Sequence, residues 1–424
     1  MNIPTRLSEE TIFLRRFGWL LAVAGFIVGN LITGGMWAAV TLDRTFLPAS
    51  PTAWFSFKGA VLGFGFAMFS LVWWGGLKME RVMGAGFRHL GVAALLAILM
   101  VAGAEFTSRS FMARDLLWQA VRVRAGSSDY FAREVSLVRI SDQYYRAAPP
   151  VEPGILVAGS SQMLHALDAD LLERLTGLRV HRRATAGMFP VEMLAWREFL
   201  EYDESHILLL MLSGFDLGGR DRLYVNLIKP LVTPSGLSDV LDVADRSFLL
   251  QNWRGVIELW ISSRLELWRS RDYMRYIMEH LATLKSDRVD ARGDRTLLEQ
   301  QKTGYLNLGT NPQMVALSER SFERFIEKSA RHYSRIIIVQ GSVNPDYAGD
   351  PGYVMLSDKA RDLALNLQKR GLAKYIDRID QHVELPSSMW IDNVHVNEQG
   401  RSRLTQLFAD IILQNRNLHA DNQP

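Results

Sequence analysis

Residues 17 to 40, FGWLLAVAGFIVGNLITGGMWAAV, carry no charged side chain. At about 1.5 Å of rise per residue, a helix over this run is long enough to cross the roughly 30 Å hydrocarbon core of a bilayer. The run therefore predicts a membrane-spanning helix. Residues 59 to 77, GAVLGFGFAMFSLVWWGGL, make a second uncharged run, with Trp73 and Trp74 near one end where interfacial aromatics sit. Leu90 to Ala104 is a third, shorter run, which spans if Phe87 to His89 and Phe106 extend it. A cleaved signal peptide is the competing reading of the first run, but its apolar stretch exceeds the usual signal core and further apolar segments follow closely. Buried soluble helices compete for the other two, against their complete lack of charge.

Residues 1 to 106 are thus expected to form an anchor of about three transmembrane helices. Basic residues in the short flanks set its orientation. Arg6, Arg15 and Arg16 precede the first span, and Lys78, Arg81 and Arg88 lie between the second and third, whereas only Arg44 and Lys58 separate the first and second. An amino terminus inside and three crossings place everything after residue 106 outside.

Composition averages conceal this division. The chain is 48% hydrophobic, but the apolar excess is concentrated before residue 106. A net charge of +3 over 424 residues is too small to point to nucleic acid. The absence of cysteine removes disulfides, thiolate metal sites and cysteine nucleophiles together, and leaves the compartment open.

A helical juxtamembrane linker is expected over residues 107 to 153, with helix from Met112 to Ile140 and a polar link at 146 to 153. From residue 154 to 414 short apolar runs alternate with helical patterns, the signature of an α/β parallel sheet. Strands are expected at Ile155 to Ala158, Leu178 to Arg182, Ile207 to Leu212, Arg335 to Gln340 and Lys374 to Ile379. ILLLML and RIIIVQ are apolar on both faces, as strands between two helix layers must be. The long stretch Gly214 to Ser334 between the third and fourth strands is too long for a simple crossover, and residues 218 to 330 are expected to form a helical insertion. Within its Trp-, Tyr- and Arg-rich part, Trp253 to His280, helical spacing predicts that Trp260, Leu267 and Trp268 pack inward as its core. The alternative is a cap over a site or a surface that rests on a membrane or a partner. The tail, 415 to 424, is polar.

The chemistry gathers at the two ends of this domain. Ile155-Leu-Val-Ala-Gly-Ser-Ser-Gln-Met163 is a buried strand running into Gly159-Ser160-Ser161 and then a helix, which puts a serine hydroxyl at the carboxyl edge of the sheet, where α/β proteins keep their sites. The tripeptide alone is a weak signal, since Gly126-Ser127-Ser128 repeats it with no strand leading in; alone, Ser161 reads as a helix cap. Near the other end, Trp390-Ile-Asp392-Asn-Val-His395-Val-Asn397 precedes a helix with an apolar face at Leu404, Leu407, Phe408, Ile411 and Ile412, capped by Asn397. A serine needs a base to take its proton, and an imidazole needs a carboxylate to fix its tautomer; His395 and Asp392 offer both from one loop. Their bland roles are a loop histidine and a turn residue. His165 reads as a helix-surface residue, and no histidine spacing or glycine-rich cradle points to a metal or a phosphate cofactor.

Together, Gly159-Ser160-Ser161 as a first block and Asp392-Asn-Val-His395 as a last block resemble the SGNH (GDSL-like) hydrolase superfamily, in organisation over residues 154 to 414 apart from the insertion. Ser160 stands where that family usually has aspartate. This version, with membrane anchoring and the following His165-Ala-Leu-Asp-Ala-Asp-Leu-Leu172, is similar to the branch of the D-alanyl-lipoteichoic acid transfer protein and the alginate O-acetylation proteins. The resemblance implies an SGNH/flavodoxin-like three-layer sheet and a Ser161, His395 and Asp392 triad. It implies that Gly187 is an oxyanion donor and that Ser213-Gly214-Phe215-Asp216 lies where the family often carries Gly-x-Asn. An ionised Asp216 cannot donate there unless its pKa is strongly raised, so either the oxyanion hole uses backbone N–H groups alone or another donor enters, such as Ser213 or Asn344, which follow the third and fourth strands.

The function implied is a multi-pass protein of the bacterial inner membrane with a periplasmic or external domain. That domain would act as a serine esterase or O-acyltransferase on acyl esters of an envelope or exported polysaccharide, without a cofactor, with a membrane-bound O-acyltransferase as a partner. The competing expectation is a non-catalytic glycan-binding or scaffolding component of a polysaccharide-assembly complex. A third is a membrane-associated lipase, in which the insertion opens onto an acyl-chain groove.

Overall fold

A computed structural model describes residues 99, 102–125, 130–147, 152–201, 206–219, 222–283, 308 and 311–420. The first two expected spans, and the third apart from Leu99 and 102–104, lie outside these residues. Among the described residues no helix is long and apolar enough to cross a membrane. The polypeptide divides between Leu116 and Leu117, and the unit Leu117–Pro424 carries the sheet.

The elements run α1 (Phe111–Ala125), α2 (Tyr130–Ala147), β1 (Gly154–Ala158), α3 (Ser161–Ala166), α4 (Ala169–Thr176), β2 (Arg179–Arg182), α5 (Pro190–Ala195), β3 (Ile207–Leu212), α6 (Gly214–Gly218), α7 (Val225–Ile228), α8 (Pro234–Val243), α9 (Arg246–Gln251), α10 (Trp253–Arg264), α11 (Glu266–Thr283), α12 (Pro312–Ser329), β4 (Arg335–Gln340), α13 (Pro351–Lys369), β5 (Lys374–Ile376) and α14 (Glu398–Ala420). The five strands form one all-parallel sheet in the order β2-β1-β3-β4-β5. The protein is therefore α/β, with four of the expected strands in place within a residue. The fifth stops at Ile376, short of Ile379, because Asp377 draws the Tyr375 hydroxyl and the Arg378 amide onto its own carboxylate, and a 3-10 turn begins at Ile379.

Alternation along the strands separates two cores. Leu156, Leu208, Leu210, Ile336 and Ile338 face one side, where they meet residues of α5, α8, α12 and α13. Ile155, Val157, Leu209, Met211, Ile337 and Val339 face the other, against α3, α4 and α14. Burial on both faces explains why these strands carry unbroken apolar runs. Trp118, Val121, Val135 and Val138, in the stretch read as a juxtamembrane linker, join the first core.

The insertion does not stand apart from the sheet: α8 and α12 pack on α5 and continue that same core. Its aromatic stripe departs from expectation. Trp260 is 51% exposed and Trp268 37%, and Leu267 is only half-buried. Leu259, Ser262, Ser263, Glu266 and Ser270 face inward instead. The buried cations beneath explain the choice. Lys229 Nζ lies 3.2 Å from Glu258 and 2.5 Å from Asp272, and the Arg139 guanidinium stands 3.6 Å from Glu266. A buried cation left without a carboxylate would be far more costly than an exposed indole, so α10 turns Glu258 and α11 turns Glu266 toward these cations, while Asp272 reaches Lys229 from the exposed side.

Candidate active site

Every parallel strand delivers its carboxyl end to the same edge, and β1 and β3 are neighbours at the point where successive connections leave in opposite directions. Ligand sites of open α/β sheets form at such a point. Gly159 makes the turn out of β1. Its φ of 149° suits glycine alone, and a Cβ there would meet Met163 Cβ at 2.8 Å. Ser160 then caps α3 by accepting from the Gln162 amide, which leaves Ser161 as the first helical residue, half-buried at the sheet edge.

The partner loop is built just as locally. Trp390 and Val396 form an antiparallel bridge, the Ile391 amide donates to His395 O at 2.8 Å, and the Asn397 amide donates to Met389 O at 2.8 Å. Asn397 Oδ1 accepts from the Gln399 and Gly400 amides and opens α14, as its place in the sequence predicts. Inside the pinched loop, Asp392 Oδ1 accepts from the Val394 and His395 amides, both at 2.8 Å. Its other oxygen, Oδ2, lies 2.7 Å from His395 Nδ1. His395 Nε2 stands 2.8 Å from Ser161 Oγ, so residues 234 positions apart form one continuous relay.

Exposure is graded along this relay: the Asp392 side chain is 3% exposed and that of His395 20%. Burial works to raise the Asp392 pKa, but the hydrogen bond and charge of His395 and the two amides outweigh it and hold the carboxyl below its ordinary range. A carboxylate only accepts, so Nδ1 carries the imidazole proton and Nε2 is left as an acceptor for the Ser161 hydroxyl.

The remaining expected residues are placed less uniformly. Gly187 lies in the turn before α5 with φ 77°, and that turn docks against the Ser161 turn through the Thr185 amide, which donates to Gly159 O at 3.1 Å. Ser213 and Asp216 lie at the carboxyl end of β3, as expected, and are bonded to each other. Ser213 is fully buried, and its hydroxyl bonds Gln162 Oε1 and Asp216 Oδ2; Asp216 Oδ2 also accepts from the Ser213 amide at 2.8 Å. The pair is a capping box on α6. The Ser-x-x-Asp spacing at the end of an apolar strand carried that signal. Asn344 reaches the Asp392 loop: its Nδ2 donates to Asp392 O at 3.3 Å and its amide to Asn393 O at 2.9 Å, which fastens that loop to the end of β4.

Two neighbours of the relay were missed. Gln162 is buried and spans the edge, with Nε2 donating to Ser342 O and Val394 O and Oε1 meeting Ser213. Nothing in the sequence marks it, because its partners come from three distant segments. His165 packs its ring against that of His395, and its carbonyl accepts from Arg401 Nε at 3.0 Å. Its spacing of four from Ser161, one helical turn on the same face, was the available cue. Burial, then the charges of His395 and Arg401, lower the His165 pKa to about 4, so its ring is neutral at physiological pH.

Scanned against protein-family models the chain finds no match, and a search of curated proteins finds none either.

Proposed function

We propose that this protein is a membrane-anchored SGNH-type serine esterase or O-acyltransferase acting on acyl esters of an envelope or exported polysaccharide. The observation that carries the reading is the unbroken Ser161, His395 and Asp392 relay at 2.8 and 2.7 Å. The sheet order, with helices on both faces, supports the SGNH/flavodoxin-like three-layer form that the two sequence blocks imply.

In this mechanism His395 Nε2 takes the Ser161 proton as Oγ attacks the acyl carbonyl, and Asp392 stabilises the imidazolium that forms. The backbone amides of Ser161 and Gly187 receive the developing oxyanion. His395 then returns the proton to the departing alkoxide, leaving an acyl ester on Ser161 Oγ. Water releases it as an acid, or a sugar hydroxyl takes the acyl group. The membrane anchor favours the transfer, beside a membrane-embedded acyl donor system with the soluble domain in the periplasm or outside the cell.

The accessory reading, glycan binding without turnover, draws support from Asp216: with its carboxyl turned into a cap, no side-chain amide stands at the family's asparagine position. Labelling of the detergent-purified chain with a fluorophosphonate probe separates the two. Labelling of wild type that is lost in Ser161→Ala and in His395→Ala supports the enzyme; a well-folded wild type that takes no label turns the reading to the accessory.

A further inference from the structure

Helix α10 is turned inside out. Leu259, Ser262 and Ser263 are buried, whereas Trp253, Ile257 and Trp260 are 53%, 49% and 51% exposed. These three stand at i, i+4 and i+7, one continuous stripe along the outer face of the helix. Trp268 of α11 adds a third exposed indole. Each indole carries a guanidinium over its ring: Arg254 on Trp253 at 5.3 Å, Arg264 on Trp260 at 4.4 Å and Arg271 on Trp268 at 4.0 Å. Isolated exposed apolar residues need no account, but a stripe of three large ones beside another indole is a surface built to be covered.

We propose that this face docks on a lipid bilayer with anionic headgroups. Tryptophan is the side chain that favours the headgroup level, where its ring is half-dehydrated and its N–H stays wet. Arg271 is held by Glu258 at 2.9 Å and by Asp272 at 3.5 Å, whereas Arg254 and Arg264, beside Trp253 and Trp260, complement headgroup phosphates, which a guanidinium binds in bidentate fashion. The third argument rests on the spans read from the sequence. Uncharged runs at 17 to 40 and 59 to 77 hold the chain to a membrane, so a bilayer surface is present at high effective concentration. An amphipathic face with aromatic residues and flanking arginines then lies in the interface plane rather than across it. The docking is independent of the chemistry at Ser161, and its effect is to hold the domain against the surface where a membrane-borne acyl group would be presented.

The chain has no cysteine, so Trp260→Cys places a single thiol on this face. Labelled there with an environment-sensitive fluorophore, the full chain is reconstituted into nanodiscs of anionic lipid that carry a nitroxide quencher just below the headgroups. Leu175→Cys, 42% exposed on α4 over the opposite face of the sheet, is the control. The expected result is a blue-shifted label at position 260 that is quenched several-fold more than the label at 175. A double charge reversal, Arg254→Glu and Arg264→Glu, which leaves the Arg271, Glu258 and Asp272 cluster intact, is expected to bring that quenching down to the control level. Equal quenching at the two positions overturns lipid docking and leaves the stripe to a protein or a glycan. Quenching that survives the charge reversal overturns the role of the headgroup charges.

Discussion

The rings of His165 and His395 lie with centroids 4.6 Å apart and planes tilted by 44°, so the base of the relay has a second imidazole as its wall. The wall is uncharged: burial first, and then the neighbouring charges, hold the His165 pKa near 4. A neutral ring supports His395 without opposing the positive charge it gains when it takes the serine proton.

A fixed cation in that place is expected to oppose it. At about 5 Å and an effective dielectric near 20, the repulsion is roughly 3 kcal/mol, worth up to two orders of magnitude in rate. His165→Arg is therefore expected to slow fluorophosphonate labelling of Ser161 by about ten- to a hundredfold, while His165→Phe, which keeps the packing, stays within a few-fold of wild type. Equal rates in the two variants would mean that the wall acts through shape alone.

Asp392→Asn tests the tautomer. The amide oxygen can keep the Val394 and His395 amides, but its NH2 then faces Nδ1 and moves the imidazole proton to Nε2, toward Ser161. Labelling is expected to fall on the order of 10³- to 10⁴-fold with the fold intact. The carboxylate also links pH to stability. Its folded pKa is depressed, so the stability it adds is present above the ordinary carboxylate range and is lost as pH falls through the folded value. Acid melts of wild type and variant should converge there; parallel curves across the acid range would contradict the depressed value.

Asp216 behaves in the opposite sense. Burial raises its pKa from 3.8 to about 6, against hydrogen bonds from Ser160 and Ser213 that pull it down. Between these values the folded chain holds a proton that the unfolded chain has released, so stability falls as pH rises from about 4 to about 6. At roughly 1.4 kcal/mol per unit, the loss is about 3 kcal/mol. Asp216→Asn has nothing to ionise and is expected to flatten this slope, gaining on wild type by about that amount between pH 4 and pH 7 in thermal or urea unfolding. An unchanged slope would place the acid-side dependence elsewhere.

Strand positions were legible because a strand buried on both faces has no choice but to be apolar, and ILLLML and RIIIVQ are. Asn397 was legible as a cap because capping is decided within four residues. Ser213 and Asp216 lie at the end of the third strand, where the sequence puts them, and the Ser-x-x-Asp spacing that makes them a capping box is equally local. Trp260 and Trp268 were misplaced because helical periodicity identifies a face without saying which way it turns. That choice fell to Lys229 and Arg139, whose partners Glu258 and Glu266 each stand two residues before an indole, on the opposite side of α10 and α11.

By itself the sequence determined the alternation of elements, the turns at Gly159 and Asn397, and the residue types of the relay, since each follows from interactions that reach a few positions along the chain. Tertiary structure alone decided that His395 Nε2 meets Ser161 Oγ at 2.8 Å, that Gln162 bridges three segments beneath them and that an indole stripe faces outward. The reason is physical. A hydrogen bond between groups 234 positions apart, or the satisfaction of a buried cation, depends on how a sheet orders its strands and packs its helices, and no local pattern of residues encodes that distance.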